Sequence, residues 1–125
     1  MHLTKAEEQI MLILWEMEEG IVKDIRDQFK NRKPARNTIS TVVRVLEKKG
    51  FVGHKVYSNI HLYYPLIKKN EYSKSLLFEL VDNYFDGSFP TMASFYVREK
   101  DLSARELEEL QTDTKKAMKK NKKKK

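Results

Sequence analysis

The chain has 125 residues and a formal net charge of +7 at pH 7, with 40% hydrophobic and 34% charged residues. That length accommodates one ordinary domain, or one small domain with an appended oligomerisation element, and rules out two large ones. It contains no cysteine, which excludes a disulfide framework, a thiolate metal site and a cysteine nucleophile.

Thr4 and Glu7 have the spacing of a capping box, and Ala6, Ile10, Ile13, Leu14 and Met17 then recur at helical spacing, predicting a first helix that ends at Gly20. Val22, Ile25 and Phe29 supply the apolar stripe of a second helix from Val22 to Lys30. Asn31 to Pro34 breaks the chain. Pro34 suits the first turn of a third helix, which Ile39, Val42, Val43 and Leu46 carry to Gly50. Two β-rich runs follow, Phe51, Val52, Val56, Tyr57 and then Ile60, Leu62, Tyr63, Tyr64, around the turn pair Ser58-Asn59, with Pro65 closing the second. Three helices and a hairpin in this order make a winged helix-turn-helix over residues 1–68. The predicted fold class is therefore mainly α with a small β-hairpin.

Beyond Asn70 the pattern is helical again. Leu76, Leu77, Leu80, Val81, Tyr84 and Phe85 form a dense stripe that stops before Gly87. Ser88 to Lys100 carries Met92 and Phe95 among its apolar residues, and a second capping box, Ser103 with Glu106, opens a helix with Leu107 and Leu110. Residues 69–118 are too few to enclose that much apolar surface, and short isolated helices are marginal in water, so a symmetric homodimer is expected. Its interface would be built from Leu76, Leu77, Leu80, Val81, Tyr84, Phe85, Met92, Phe95, Leu107 and Leu110. Residues 119–125 are almost all lysine and read as a disordered tail.

Charge distribution points to the partner. Between Asn31 and Lys55 the basic residues Arg32, Lys33, Arg36, Arg44, Lys48, Lys49 and Lys55 face a single acid, Glu47. If the aliphatic residues of the third helix turn inward, Arg36, Asn37, Thr38, Ser40, Thr41, Arg44 and Lys48 lie on or beside the opposite face. Short hydroxyl side chains let such a face enter a major groove, where arginine suits guanine and asparagine suits adenine. Lys48, Lys49 and Lys55 would mainly hold phosphates, and the wing would add Tyr57 with His54, Ser58, Asn59 or His61. The bland alternative is an ordinary solvated helix face. The basic cluster, helix order and hairpin together favour double-stranded DNA, because each would otherwise need its own explanation.

The stretch Leu3-Thr4-Lys5-Ala6-Glu7-Glu8 leading to Ile13-Leu14-Trp15, followed by Asn37-Thr38-Ile39-Ser40-Thr41-Val42-Val43-Arg44-Val45-Leu46-Glu47-Lys48-Lys49-Gly50, resembles the penicillinase and methicillin-resistance repressor family. The likeness is strongest from Thr38 to Gly50 and around Trp15, and the C-terminal half matches mostly in helix order. It implies a winged-helix dimer on a palindromic operator, repressing antibiotic-resistance genes until a membrane sensor-transducer protease pathway leads to its cleavage. By position it implies operator-facing roles for Thr38, Ser40, Thr41 and Arg44, with Asn37 where relatives often carry lysine. The family's scissile Asn-Phe pair corresponds to Ser94-Phe95, so the asparagine is missing. The copper-responsive branch uses clustered C-terminal cysteines, which this chain lacks.

Other classes fare worse. His54 and His61 can be diagonal neighbours on the hairpin, but nothing nearby completes four ligands, so no metal and no cofactor is expected. Trp15 reads as a core aromatic rather than a platform for stacked bases. No nucleophile-base pair, glycine-rich phosphate loop or carboxylate cluster suggests an enzyme. The competing non-enzymatic reading is a winged helix that binds protein or RNA without reading DNA sequence. The longest apolar run, around Ile10 to Trp15, is far below the roughly 20 residues of a membrane span, and the charged start lacks a signal-peptide core. A cytoplasmic location without membrane insertion is expected.

Overall fold

The computed structural model describes residues 1–123. Thr4 takes extended backbone and its hydroxyl accepts the Glu7 N–H at 3.2 Å, while the Glu7 carboxylate accepts the Thr4 N–H at 2.8 Å. Helix α1 (Lys5–Met17) thus starts on the expected capping box. It ends earlier than the predicted Gly20, because Gly20 exchanges two 2.9 Å backbone hydrogen bonds with Tyr63 of the hairpin and so extends the sheet edge by a single bridge. Helix α2 (Val22–Asp27) also falls short of Lys30, its last turn tightening as the Gln28 and Phe29 N–H groups donate to Ile25 and Arg26 carbonyls.

Pro34 lies just before helix α3 (Arg36–Lys48) rather than in its first turn, and Ala35 is the N-cap. The Arg26 guanidinium donates to the Pro34 carbonyl at 2.8 Å, which ties α2 to the turn that aims α3. At the other end, the Gly50 N–H donates to Glu47 and the Phe51 N–H to Leu46, at 3.0 and 2.9 Å, with Gly50 at φ 83°. This is a Schellman arrangement, and it needs glycine at the left-handed position. Leu46 and Phe51 are both buried there, so the helix end and the start of strand β1 (Val52–Tyr57) share one apolar contact zone.

β1 pairs antiparallel with β2 (Ile60–Pro65), from Val52↔Pro65 to Tyr57↔Ile60. Ser58 and Asn59 both have positive φ, 46° and 67°, the geometry of a primed two-residue turn that matches the strand twist. Ile10, Met11, Leu14, Ile25, Ile39, Val43, Leu46 and Val52 form the core of this unit. Trp15 packs against that core and donates from Nε1 to the Ile67 carbonyl at 2.8 Å, with its ring 5.8 Å from Tyr72.

The chain divides into two compact units, Met1–Phe78 and one beginning at Glu79. The first therefore reaches beyond the expected boundary at 68, because Tyr72 of helix α4 (Lys69–Tyr84) is buried against Trp15 and Phe51. The second contains helix α5 (Phe89–Lys100), capped by Ser88, and helix α6 (Ala104–Lys123), opened by the Ser103–Glu106 box. The expected disordered tail from 119 is instead helical as far as Lys123, and 124–125 lie outside the described residues. Lysine is a good helix former, and positive charge suits a helix C-terminus.

One apolar-stripe assignment is reversed. Ala6 is exposed and Glu7 is buried, at 4% exposure, where its carboxylate accepts the Lys49 ammonium at 2.7 Å. Burial pushes the Glu7 carboxyl upward, but the Lys49 hydrogen bond and charge, with the Thr4 N–H and hydroxyl, outweigh it and leave the group below its usual range. A depressed folded-state pKa stabilises the fold above the ordinary carboxylate range, and that stabilisation is lost as pH falls through the folded value. Glu7→Ala is expected to cost roughly 1–2 kcal/mol at neutral pH through the lost cap and ion pair. Urea titrations should show the gap between wild type and variant narrowing below about pH 4. A pH-independent gap would mean that packing alone accounts for it.

Candidate nucleic-acid interface

Helix α3 is strongly two-sided. Ile39, Val43 and Leu46 are fully buried and Val42 is half-buried, as the spacing predicts. Arg36, Asn37, Thr38, Thr41, Arg44 and Lys48 are exposed and Ser40 is half-buried. The Thr41 hydroxyl donates to the Asn37 carbonyl at 2.9 Å, which fixes its rotamer and leaves the oxygen free to accept. Among the described residues no side chain caps the N-terminus of α3, in contrast to α1.

Charge pairing sorts the basic cluster. Lys33 bonds the Asp27 carbonyl at 3.1 Å, and Lys49 pairs with Glu7 at 2.7 Å. Among the described residues Arg32, Arg36, Arg44 and Lys48 have no acidic partner. Those four cations face solvent.

The hairpin register separates the wing residues into two faces. Lys55 and Tyr57 pair with Leu62 and Ile60 and share a face with Tyr64, over whose ring the Lys55 ammonium lies at 5.5 Å. His54, paired with Tyr63, and His61, paired with Val56, occupy the other face. That second face borders a groove lined by Lys23 of α2, Arg36, Ser40 and Arg44 of α3, and His61 and Tyr63 of β2, with Asn59 and Ile60 at its turn end. Lys23 is absent from the sequence-derived set, because its helix is too short to show a polar face and only the fold brings it opposite the hairpin.

His54 Nδ1 lies 2.5 Å from the Glu47 carboxylate, and the His54 and His61 rings stack 4.5 Å apart at 4°. Tyr63 packs beneath both; burial and the Glu47 charge raise its pKa, with Arg44 opposing them. Among the described residues no cluster of three or more His, Cys, Asp or Glu could hold a metal ion.

In the C-terminal half, Leu76, Leu77, Leu80, Tyr84, Phe95 and Leu110 are exposed, and Phe85, Met92 and Leu107 are half-covered. Val81 differs: at 8% exposure it is already covered within the chain. Phe78 and Phe89 are exposed apolar residues outside the predicted set. An apolar groove in the second unit is lined by Leu80, Phe85, Met92, Phe95, Tyr96 and Leu110. Ser94 and Phe95 lie in the middle of α5, both exposed, with the Phe95 ring 5.5 Å from that of Phe85.

The family model described as penicillinase repressor matches residues 3–116. The chain belongs to the penicillinase repressor family. This is a family of DNA-binding transcriptional repressors and not of enzymes, and its match runs through both units. The chain is similar to the methicillin resistance regulatory protein MecI of Staphylococcus aureus (strain N315), 28% identical over 109 residues that cover 86% of this chain and 89% of that protein. It is also similar to the penicillinase repressor of Bacillus licheniformis, at 23% identity over 86% of this chain and 85% of that one. A solved structure titled CopR repressor aligns with a TM-score of 0.45 and 23% identity, covering 54% of this chain and all of that one. Among the described residues no helix is long and apolar enough to cross a membrane.

Proposed function

We propose that this repressor acts as a homodimer on a palindromic operator, inserting α3 into the major groove of each half-site. Arg36, Asn37 and Arg44 would reach base edges, Thr38, Ser40 and Thr41 would seat the helix, and Lys48 with the wing residues Lys55 and Tyr57 would hold phosphates. The observation that carries this reading is the two-sided α3, whose exposed face bears two arginines with no acidic partner among the described residues. Membership of a repressor family supports it.

Self-association is supported by the exposed apolar residues of α4 and α5, which in water favour an apolar partner surface. Helix α6 adds a second reason. Its acids Glu106, Glu108, Glu109 and Asp113 precede the lysines Lys115, Lys116, Lys119 and Lys120, so an antiparallel copy would set opposite charges together. Dimer symmetry requires two half-sites about one helical turn, or a multiple of it, apart.

Selection from random duplexes is expected to return a palindrome bound at least about a thousandfold more tightly than random DNA, with steep salt dependence. Weak, uniform affinity for all duplexes would favour a protein- or RNA-binding module instead. Release of the operator by proteolysis at Ser94-Phe95 is supported by exposure of both residues and by the family, though the bond lies within a helix that would have to unwind locally to be cut. Cells carrying Ser94→Lys, a change an exposed helix position tolerates, should then show altered induction with repression intact.

A further inference from the structure

Glu47 is the one acid in the basic stretch from Asn31 to Lys55, and the structure gives it a specific neighbour. Its carboxylate meets Nδ1 of His54, and the His54 ring stacks in parallel on that of His61, which lines the groove beside Arg44. We infer that His61 is a DNA contact whose protonation strengthens binding, and that His54, anchored by Glu47, is the residue that positions its ring. The inference rests on the DNA reading above and adds a residue set and a pH dependence to it.

The charge balance runs through every element around the stack. Lys23 faces the groove from α2 and Arg36 and Arg44 from α3, Glu47 of α3 meets His54, and Tyr63 packs under both rings from β2, while Lys55 of β1 lies on the opposite hairpin face. With both imidazoles neutral, Glu47 leaves the trio at −1 next to a groove meant for phosphates. One proton brings it to zero. A second is opposed by the first across parallel rings 4.5 Å apart. Histidine changes charge between about pH 5 and 8, and an anion bound beside it favours the charged form, so DNA binding and proton uptake are linked.

The test uses the full chain and the tightest duplex from selection, with fluorescence anisotropy from pH 5.5 to 8.5 at constant ionic strength. Wild-type affinity should rise about tenfold as pH falls from 8 to 6, the limit for one proton being about tenfold per unit. His61→Gln and His54→Gln should flatten this profile. Glu47→Gln should raise affinity at pH 8 and also flatten it, whereas His2→Gln should keep the wild-type slope. Thermal unfolding at each pH identifies any variant whose fold has suffered, and the Glu47→Gln gain cannot arise from unfolding. A flat wild-type profile, or a slope surviving both His61→Gln and His54→Gln, overturns the inference while leaving the DNA reading intact. Absence of any preferred duplex at all pH values removes that reading itself.

Discussion

Leu80→Asp is expected to convert the protein into monomers that no longer hold a full operator at working concentrations. Leu80 is 44% exposed and lines the apolar groove of the second unit, so in a single chain an aspartate there remains solvated and the protomer folds. In a dimer covering that groove the same carboxylate would be buried without a partner, once per protomer. Burying an unpaired charge costs several kcal/mol, so the dissociation constant should rise by at least about 100-fold. The DNA consequence is larger than the contact itself, because a monomer loses the high effective concentration that joins two half-sites. Affinity for the palindrome should fall by roughly 10²–10⁴ while affinity for a single half-site is unchanged. Sedimentation equilibrium and binding to both duplexes check this. Val81→Asp is the contrasting variant: Val81 is already 8% exposed in the chain, so its loss should lower the protomer's melting temperature. A Leu80→Asp protein that sediments as a dimer would remove the stripe from the interface.

The contrast between those two neighbours shows where sequence pattern stops. Both sit in one apolar stripe, and spacing predicts the helix without saying which member its own chain covers. Local chemistry was legible wherever a feature closes within a few residues. The Thr4–Glu7 and Ser103–Glu106 boxes and the Ser58-Asn59 turn belong here, and so does the inward set Ile39, Val43 and Leu46. Features that close over distance were not. Glu7 reads as a polar residue at a helix start because its partner lies 42 positions away at Lys49. Gly20 reads as a helix stop, but its hydrogen bonds go to Tyr63. Alternation places Lys55 and Tyr57 on one face of the hairpin, yet only the assembled fold shows that His61 and Lys23 border the groove beside α3.

Arg44→Ala is expected to show whether α3 reads bases and whether two copies read at once. Arg44 is exposed, has no acidic partner among the described residues, and lies in the groove between α3 and the hairpin. A bidentate guanidinium–guanine pair is worth about 1–3 kcal/mol of discrimination, or roughly 5-fold to 150-fold at one half-site. On a palindrome held by a symmetric dimer each protomer loses the same contact, so the fold-loss on the full operator should approach the square of the half-site loss. Arg44→Lys should restore most of the salt dependence, since charge is kept, but not the base preference, since the planar fork is gone. Lys48→Ala should instead weaken all duplexes alike and lower the salt slope by about one. Equal losses on half-site and palindrome would contradict a two-copy complex. An Arg44→Ala protein with unchanged base preference would transfer sequence reading to Arg36 and Asn37, which share the exposed face of the same helix.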